Sequence, residues 1–220
     1  MTWCGNLKNQ FKLISFDFDG VIISQVNSWG FLRDYKKIPS GRITDYRVKL
    51  NPREFRDSEH ELFRSLKLHY NDFVEAGELL NLQPLVKEVI KDLYEAGLKI
   101  IINSAAPHVM VQQKIKEIGP QYFLQIFCMH PLFDFKGYFF DTFLPFETEN
   151  FDVDKIGVIE FTRKRENIKK EEVLHIGDGM TDIICFKEYH GISYNVHNEE
   201  VRKSANKHIE SLGELIDLLL

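Results

Sequence analysis

The sequence contains little cysteine, and its three cysteines do not pair by spacing. Cys4, Cys128 and Cys185 lie far apart and form no C-x-x-C motif. This pattern argues against a disulfide framework and against a structural zinc site, and it favours a reducing compartment. We therefore expect a cytoplasmic protein.

The sequence also lacks long apolar runs and long basic blocks. No segment approaches about 18 uninterrupted apolar residues, the length that predicts a membrane span, and residues 1–12 show no signal-peptide pattern. Lys and Arg number 28 against 33 Asp and Glu, for a net charge of −5. Since nucleic-acid surfaces need clustered positive charge, we expect no membrane and no nucleic-acid partner.

What the chain does have is enough apolar content for a sizeable core. Its 220 residues are 44% hydrophobic, and that length suits one core domain with an inserted or appended piece. We expect a monomer or a homodimer.

The most informative stretch is Asp17-Phe18-Asp19-Gly20, directly after the apolar residues Leu13-Ile14. It predicts a buried strand that ends in two carboxylates and a turn. Unpaired buried carboxylates are costly, so the pair indicates a divalent cation, a nucleophile with a proton donor, or both. The alternative is an ordinary turn rich in Asp and Gly.

Helical and strand patterns alternate from residue 84 onward. Strands are predicted at 98–103, 173–176 and 192–196, with a strand and a hairpin or flap within 123–146 that turns at 134–137. Helices are predicted at 85–94, from 107 to Gly119, and at 154–165, 181–187 and 212–219. This alternation indicates an α/β fold with a parallel sheet covered on both faces, which binds ligands beyond the carboxyl ends of its strands.

Residues 24–82 have a different, mostly helical pattern. Pro52 predicts a helix start capped by Asn51, and Asn71-Asp72 predict the cap of a further helix. The segment is too long for a simple connection. We predict a small helical cap domain at 24–82, inserted into a core domain formed by 1–23 and 83–220.

Four further polar residues lie near the predicted strand ends and helix starts. Ser104 would lie at a helix start, where a phosphate binds readily; an ordinary helix-capping serine is the alternative. Asp178 lies between two glycines, and Asp182, four residues on, can reach the same point across a helical turn. Lys155 begins a predicted helix, where a solvated lysine is the common case.

The order of these motifs resembles the haloacid dehalogenase superfamily of aspartate-nucleophile phosphatases. All four motifs are present in order from about Leu13 to the C-terminus, and the helical insert resembles the cap of the phosphoserine-phosphatase-like branch. The segment from Gly177 to Asp182 is close to that branch's fourth motif. The resemblance implies a Rossmann-like three-layer core with a small α-helical cap.

The resemblance also implies a role for each matching residue. Asp17 would be the nucleophile, and Asp19 the general acid and then the base that activates water. Ser104 and the backbone N–H of Ala105 would hold phosphate oxygens, and Lys155 would neutralise charge. Mg²⁺ would be bound by Asp17, the backbone carbonyl of Asp19, and Asp178, with Asp182 as a further ligand or as a residue that orients the others. Asp19 favours phosphoryl chemistry, because the superfamily's dehalogenases lack this second aspartate.

Two departures from that branch bear on the substrate. The cap glutamate that binds the amino acid in phosphoserine phosphatases has no counterpart near Val26, and Ala105-Ala106 replace the glycine that usually follows the serine. Arg56 and Arg64 are candidates for a substrate carboxylate or simply a solvated helix face. Trp29 and Phe31 would line the pocket or pack the lid.

Three functions remain open from the sequence. The first is a Mg²⁺-dependent phosphatase for a small phosphorylated metabolite, which acts through an aspartyl phosphate. The second is a phosphotransferase that uses the same site. The third is a receiver-like protein that binds Mg²⁺ and phosphate without turnover, although such a protein would need neither Asp19 nor the insert.

Overall fold

The computed structural model describes residues 10–38, 52–149 and 152–220. Seven strands form one sheet in the order β4-β3-β2-β1-β5-β6-β7. The strands are β1 (Leu13–Phe16), β2 (Lys99–Pro107), β3 (Gln125–Phe133), β4 (Phe139–Phe143), β5 (Val173–Gly177), β6 (His190–Tyr194) and β7 (Lys207–Ile209). All neighbouring strands pair in parallel except β3 and β4, which form the predicted hairpin.

Nine α-helices occur in the described residues. They are α1 (Ser28–Tyr35), α2 (Pro52–Ser65), α3 (Tyr70–Leu79), α4 (Val86–Glu95), α5 (His108–Ile118), α6 (Lys155–Arg165), α7 (Ile183–Glu188), α8 (Glu199–Ser204) and α9 (Glu214–Leu219).

The sheet has one apolar layer on each face, because successive side chains of a strand point in opposite directions. In β1, Ile14 and Phe16 join a core with α4, α5 and α9, whereas Leu13 joins a second core with residues of α6 and α7. Strand β1 is fully buried between β2 and β5. The predicted α/β fold with three layers is therefore confirmed.

Helices α1, α2 and α3, which lie in the predicted insert, pack on one another and on the core through aromatic rings. Trp29 of α1 stacks on Phe63 of α2 at a centroid distance of 5.5 Å, and Phe73 of α3 meets Phe133 of β3 edge-on at 5.2 Å. Such pairs contribute about 0.5–1.5 kcal/mol each beyond the area they bury. At Gly77 of α3, a Cβ atom would lie 2.8 Å from the Met110 Cα of α5, so glycine permits this close helix contact.

A short paired segment joins the two ends of the predicted insert. Ile23 bridges Leu82 in antiparallel fashion, and the Ser24 and Gln83 backbone N–H groups donate to Asn81 and Ile22. This paired segment lies at the two predicted boundaries, near residues 24 and 82. The division into a 24–82 cap and a core remains a prediction.

Several local predictions were wrong. His69, not Asn71 or Asp72, caps α3, and Asp72 lies at the third helical position, where its carboxylate accepts from the His69 N–H. Asn51 lies outside the described residues. The helix predicted at 181–187 is a 3₁₀ turn, Met180–Asp182, followed by α7. The short elements α8 and β7 were not predicted.

Candidate active site

The carboxyl ends of the central strands border one cleft of about 300 Å³. Asp17 and Asp19 follow β1, Ser104 and Ala105 lie near the end of β2, and Asp178 follows β5. The lining residues are Asp17, Asp19, Val26, Ser104, Ala105, Asp152, Val153, Lys155, Asp178, Gly179 and Thr181. Every predicted site residue except Asp182 lines this cleft, and Asp182 lies behind the lining, fully buried.

Asp17 is held at both carboxylate oxygens. The Phe18 backbone N–H donates to Oδ1 at 2.6 Å, and the Lys155 ammonium donates to Oδ2 at 2.6 Å. Asp17 is 7% exposed and Lys155 is 3% exposed, so water screens this pair weakly. Two fixed donors restrict the carboxylate to one orientation toward the cleft.

Lys155 also contacts Asp182, which forms the centre of a buried network. Lys155 Nζ and His175 Nε2 both donate to Asp182 Oδ1, at 2.6 and 2.8 Å. Although burial opposes ionisation, Lys155 and the His175 hydrogen bond hold the pKa of Asp182 below its usual range. The two carboxylates in turn hold the pKa of Lys155 above its usual range against the effect of burial. The ammonium therefore stays charged beside Asp17.

His175 was not predicted as a site residue. Its Nδ1 lies 3.0 Å from Ser15 Oγ, and Asn103 Nδ2 donates to that same oxygen at 3.4 Å and to the Lys155 carbonyl at 2.9 Å. With Nε2 paired with the Asp182 carboxylate, Nδ1 is left to pair with Ser15 Oγ. The one signal in the sequence is a histidine inside the apolar strand Val173–Gly177.

Asp182 also fixes the loop that carries Asp178. Its Oδ2 accepts from the Asp178 and Gly179 backbone N–H groups, at 3.1 and 2.9 Å. A Cβ at Gly177 would lie 2.1 Å from Asp182 Cγ, so glycine is needed for this approach. Both Asp182 oxygens therefore have protein donors. A 3₁₀ turn, and not the expected helical turn, brings Asp182 to the Asp178 and Gly179 backbone.

Asp19 is held by the first residue of α1. The Ser28 backbone N–H and the Ser28 Oγ both donate to Asp19 Oδ2, each at 2.9 Å. Asp19 Oδ1 is buried and has no hydrogen-bond partner among the described residues. Burial raises the pKa of Asp19 to about 7, with Asp17 adding to the rise and Ser28 opposing it. Such a group can hold a proton near neutral pH.

Ser104 lies inside β2, four residues before α5, so its predicted place at a helix start was wrong. Strand β2 continues to Pro107, which precedes the first residue of α5. Ser104 is 2% exposed, and its Oγ accepts from the Ala106 N–H at 3.3 Å. The Trp29 indole N–H donates to the Ala105 carbonyl at 3.0 Å, so one peptide unit, 105–106, is held at both ends.

The carboxylates of the site fit a hard divalent cation. Asp17, Asp178 and Asp182 place oxygens within 4.8 Å of one another. Burial raises the pKa of Asp178 to about 8, and the negative charges of Asp17 and Asp182 add to the rise. Lys155 opposes this rise but does not offset it. A bound cation with oxygen ligands, such as Mg²⁺, would relieve that repulsion.

Gly20 is needed for this cluster to form. It has a φ of +72°, and a Cβ on it would lie 1.9 Å from Asp178 Oδ2. Any other side chain would therefore displace a predicted metal ligand as well as strain the backbone.

Three other candidate substrate contacts, Arg64, Trp29 and Phe31, have structural partners instead. Arg64 donates to the Phe140 carbonyl at 2.9 Å and so binds the hairpin; the Arg56 side chain lies outside the described part. Trp29 and Phe31 pack against the core cluster, and neither lines the cleft.

Comparisons with known proteins agree with this architecture. A family model for haloacid dehalogenase-like hydrolases matches residues 11–190. The chain is 25% identical to a phosphoglycolate phosphatase of Vibrio vulnificus, over 97% of this chain and 98% of that one.

Among solved structures, an analogue of the phospho-aspartyl intermediate of a phosphoserine phosphatase superposes with a TM-score of 0.76 at 22% identity, covering 96% of this chain and 100% of the other. A haloacid dehalogenase family hydrolase from Salmonella enterica serovar Typhi gives 0.80 at 16% identity, covering 94% and 70%.

The chain belongs to the haloacid dehalogenase-like hydrolase family, because the family model covers most of its length. The family membership and enzyme class predicted from the motifs are confirmed. None of the helices in the described ranges is both long and apolar enough to cross a bilayer.

Proposed function

We propose that this protein is a Mg²⁺-dependent phosphatase that hydrolyses a small phosphomonoester through an aspartyl phosphate on Asp17. The observation that carries the proposal is that Asp17, Asp19 and Ser104 line one cleft and that Lys155 pairs with Asp17 there. The comparisons support this choice, since relatives of similar length are phosphatases by name.

In the first step, a carboxylate oxygen of Asp17 attacks phosphorus. The P–O bond to the alcohol breaks, and the leaving oxygen takes the proton of Asp19. The Lys155 ammonium attracts the anionic phosphate group. Ser104 Oγ and the Ala105 N–H hold phosphate oxygens. These fixed donors stabilise the charge that develops in transfer.

In the second step, Asp19 is a carboxylate and removes a proton from water. That water attacks phosphorus, and the bond to Asp17 breaks, which releases inorganic phosphate. The near-neutral pKa of Asp19, about 7, suits both directions of proton transfer.

We assign Asp17, Asp178 and the backbone carbonyl of Asp19 as the groups that would hold Mg²⁺. When bound, the cation would offset the repulsion between the Asp17 carboxylate and the phosphate dianion. Asp182 is better placed to orient, since Lys155, His175 and two backbone N–H groups occupy its oxygens.

The test is hydrolysis of p-nitrophenyl phosphate by purified protein with Mg²⁺ and with excess EDTA. We expect turnover only with Mg²⁺, and a ³²P-labelled, hydroxylamine-sensitive protein adduct after rapid acid quench. Absence of both turnover and adduct would refute the proposal and favour a receiver-like role. Phosphate transferred to an added alcohol faster than to water would favour the phosphotransferase.

A further inference from the structure

The two residues that begin α1 each contact the catalytic groups, although α1 belongs to the insert. Ser28 donates twice to Asp19 Oδ2, and Trp29 donates to the Ala105 carbonyl. Ser28 is fully buried. The helix start itself is fixed, because Asn27 Oδ1 accepts from the Gly30 N–H at 2.9 Å.

The contact divides the two oxygens of Asp19 into different roles. Oδ2 accepts two hydrogen bonds and is thereby occupied as an acceptor. Oδ1 has no partner in the part of the chain that the structure describes, and Asp19 borders the cleft. In the protonated acid, two donors at Oδ2 disfavour a proton there, which leaves the proton on Oδ1.

We propose that Ser28 is a positioning residue for acid catalysis: it holds Asp19 Oδ2 so that Oδ1 carries the proton to the leaving group. This inference rests on the proposed phosphatase function. In the transfer step, the bond from Asp17 to phosphorus forms, the ester P–O bond breaks, and the Oδ1 proton passes to the leaving oxygen. The products are aspartyl phosphate, a neutral alcohol and the Asp19 carboxylate.

The proposal predicts an effect that depends on the leaving group. An alkoxide is a poor leaving group and needs the proton, whereas p-nitrophenolate leaves without it. Benzyl phosphate and p-nitrophenyl phosphate are of similar size and differ mainly in this respect. The ratio of their kcat/KM values, measured on one preparation, does not depend on the fraction of active enzyme. Partial misfolding of a variant therefore cannot produce the predicted change.

The experiment measures that ratio in the wild type and in Ser28→Ala, which keeps the backbone donor and removes the hydroxyl. We expect kcat/KM for benzyl phosphate to fall about tenfold more than that for p-nitrophenyl phosphate. The benchmark Asp19→Asn should show a differential loss of about 100-fold or more, the usual scale of general acid catalysis.

Two further variants separate positioning from mere packing. Trp29→Phe keeps an aromatic ring against Phe63 but loses the hydrogen bond to Ala105, so it should lower both activities by a similar factor. Ser24→Ala removes an exposed hydroxyl in the preceding loop and should change neither activity.

Equal losses for the two esters in Ser28→Ala, or no loss, would overturn the positioning role, provided that Asp19→Asn keeps its differential loss. A wild-type enzyme that hydrolyses neither ester would instead refute the proposed function. The two failures are therefore distinguishable.

Discussion

The floor and the wall of the cleft are built in different ways. The floor lies at the carboxyl ends of β1 and β5 and the start of α6, where Asp17, Lys155, His175 and Asp182 form a continuous buried chain of charged and polar contacts. The wall is the segment from Val26 through the first turn of α1, held by ring stacking, by two hydrogen bonds from Ser28 to Asp19 and by one from Trp29 to Ala105. In the floor each charge has a buried partner, whereas the wall is held by neutral donors and by aromatic packing.

This difference explains which residues could be predicted from the sequence. The floor is encoded locally, because a carboxylate or serine directly after an apolar run signals a strand end in a parallel sheet. Asp17 and Asp178 were predicted in this way; Ser104 was predicted by the same pattern, although β2 continues past it to Pro107. The wall depends on where a helix nine residues after Asp19 is docked, and no local pattern reveals that Ser28 returns to contact it.

His175 and the extent of β2 were missed for related reasons. A histidine in an apolar strand is compatible with ordinary packing, and only its contact with Asp182 reveals its role. Strand β2 pairs with β3 through Pro107, with a register shift after Asn103. That pairing, which is non-local, overrides the helix-start pattern near Ser104. The α/β order was predictable because its apolar periodicity is strong.

The largest effect is expected at the centre of the floor. Asp17→Asn should lower kcat by at least about 1,000-fold, since an amide is a poor nucleophile, while Lys155 keeps Asp182 as its partner. Turnover of p-nitrophenyl phosphate and the melting temperature are the measurements. Retention of more than a few per cent of activity in homogeneous enzyme would contradict the role of Asp17.

Metal exchange tests the same floor without mutation. EDTA should abolish turnover and Mg²⁺ should restore it. With Ca²⁺ in place of Mg²⁺, activity should fall by at least about 100-fold. Ca²⁺ takes more oxygen ligands at longer distances and can engage both oxygens of Asp17. Steady-state rates after dialysis against each metal provide the measurement. Full activity with Ca²⁺ would show that the floor does not impose the geometry proposed here.

Asp182 tests whether the floor stabilises the fold as well as the chemistry. Its pKa is depressed in the folded state, so its stabilising contribution is present above the ordinary value of 3.8 and is lost as pH falls below it. Asp182→Asn should lower the unfolding free energy near neutral pH by about 3–5 kcal/mol, as expected for a broken buried ion pair.

Urea denaturation in EDTA between pH 7 and pH 3 measures this contribution. The difference in unfolding free energy between wild type and Asp182→Asn should narrow as pH falls below about 4. Asp92→Asn, on an exposed position of α4, is the matched control and should change stability by less than about 0.5 kcal/mol. A gap that stays constant with pH would mean that the lost stability is not electrostatic.

The smallest effect is expected in the wall, which we expect to select the substrate's leaving group. Val26 lines the cleft and is 76% exposed, whereas its neighbours are engaged. Gln25 Oε1 accepts from the Asn81 N–H, and Asn27 Oδ1 accepts from the Gly30 N–H. The ammonium group of phosphoserine therefore has no carboxylate partner at this position. We expect kcat/KM for phosphoserine to lie within about tenfold of the values for phosphoglycolate and a sugar phosphate.

Val26→Glu sharpens this comparison, because it places a carboxylate at the cleft where that partner is missing. We expect it to raise the preference for phosphoserine over phosphoglycolate by about tenfold, while Val26→Gln, of equal size and no charge, leaves the ratio near the wild-type value. Competition kinetics with both substrates measure the ratio directly. If wild-type enzyme already favoured phosphoserine about 100-fold, equivalent to roughly 2.7 kcal/mol, an acid elsewhere in the insert would have to bind the amine. Glu61 and Glu59 would then be the positions to substitute.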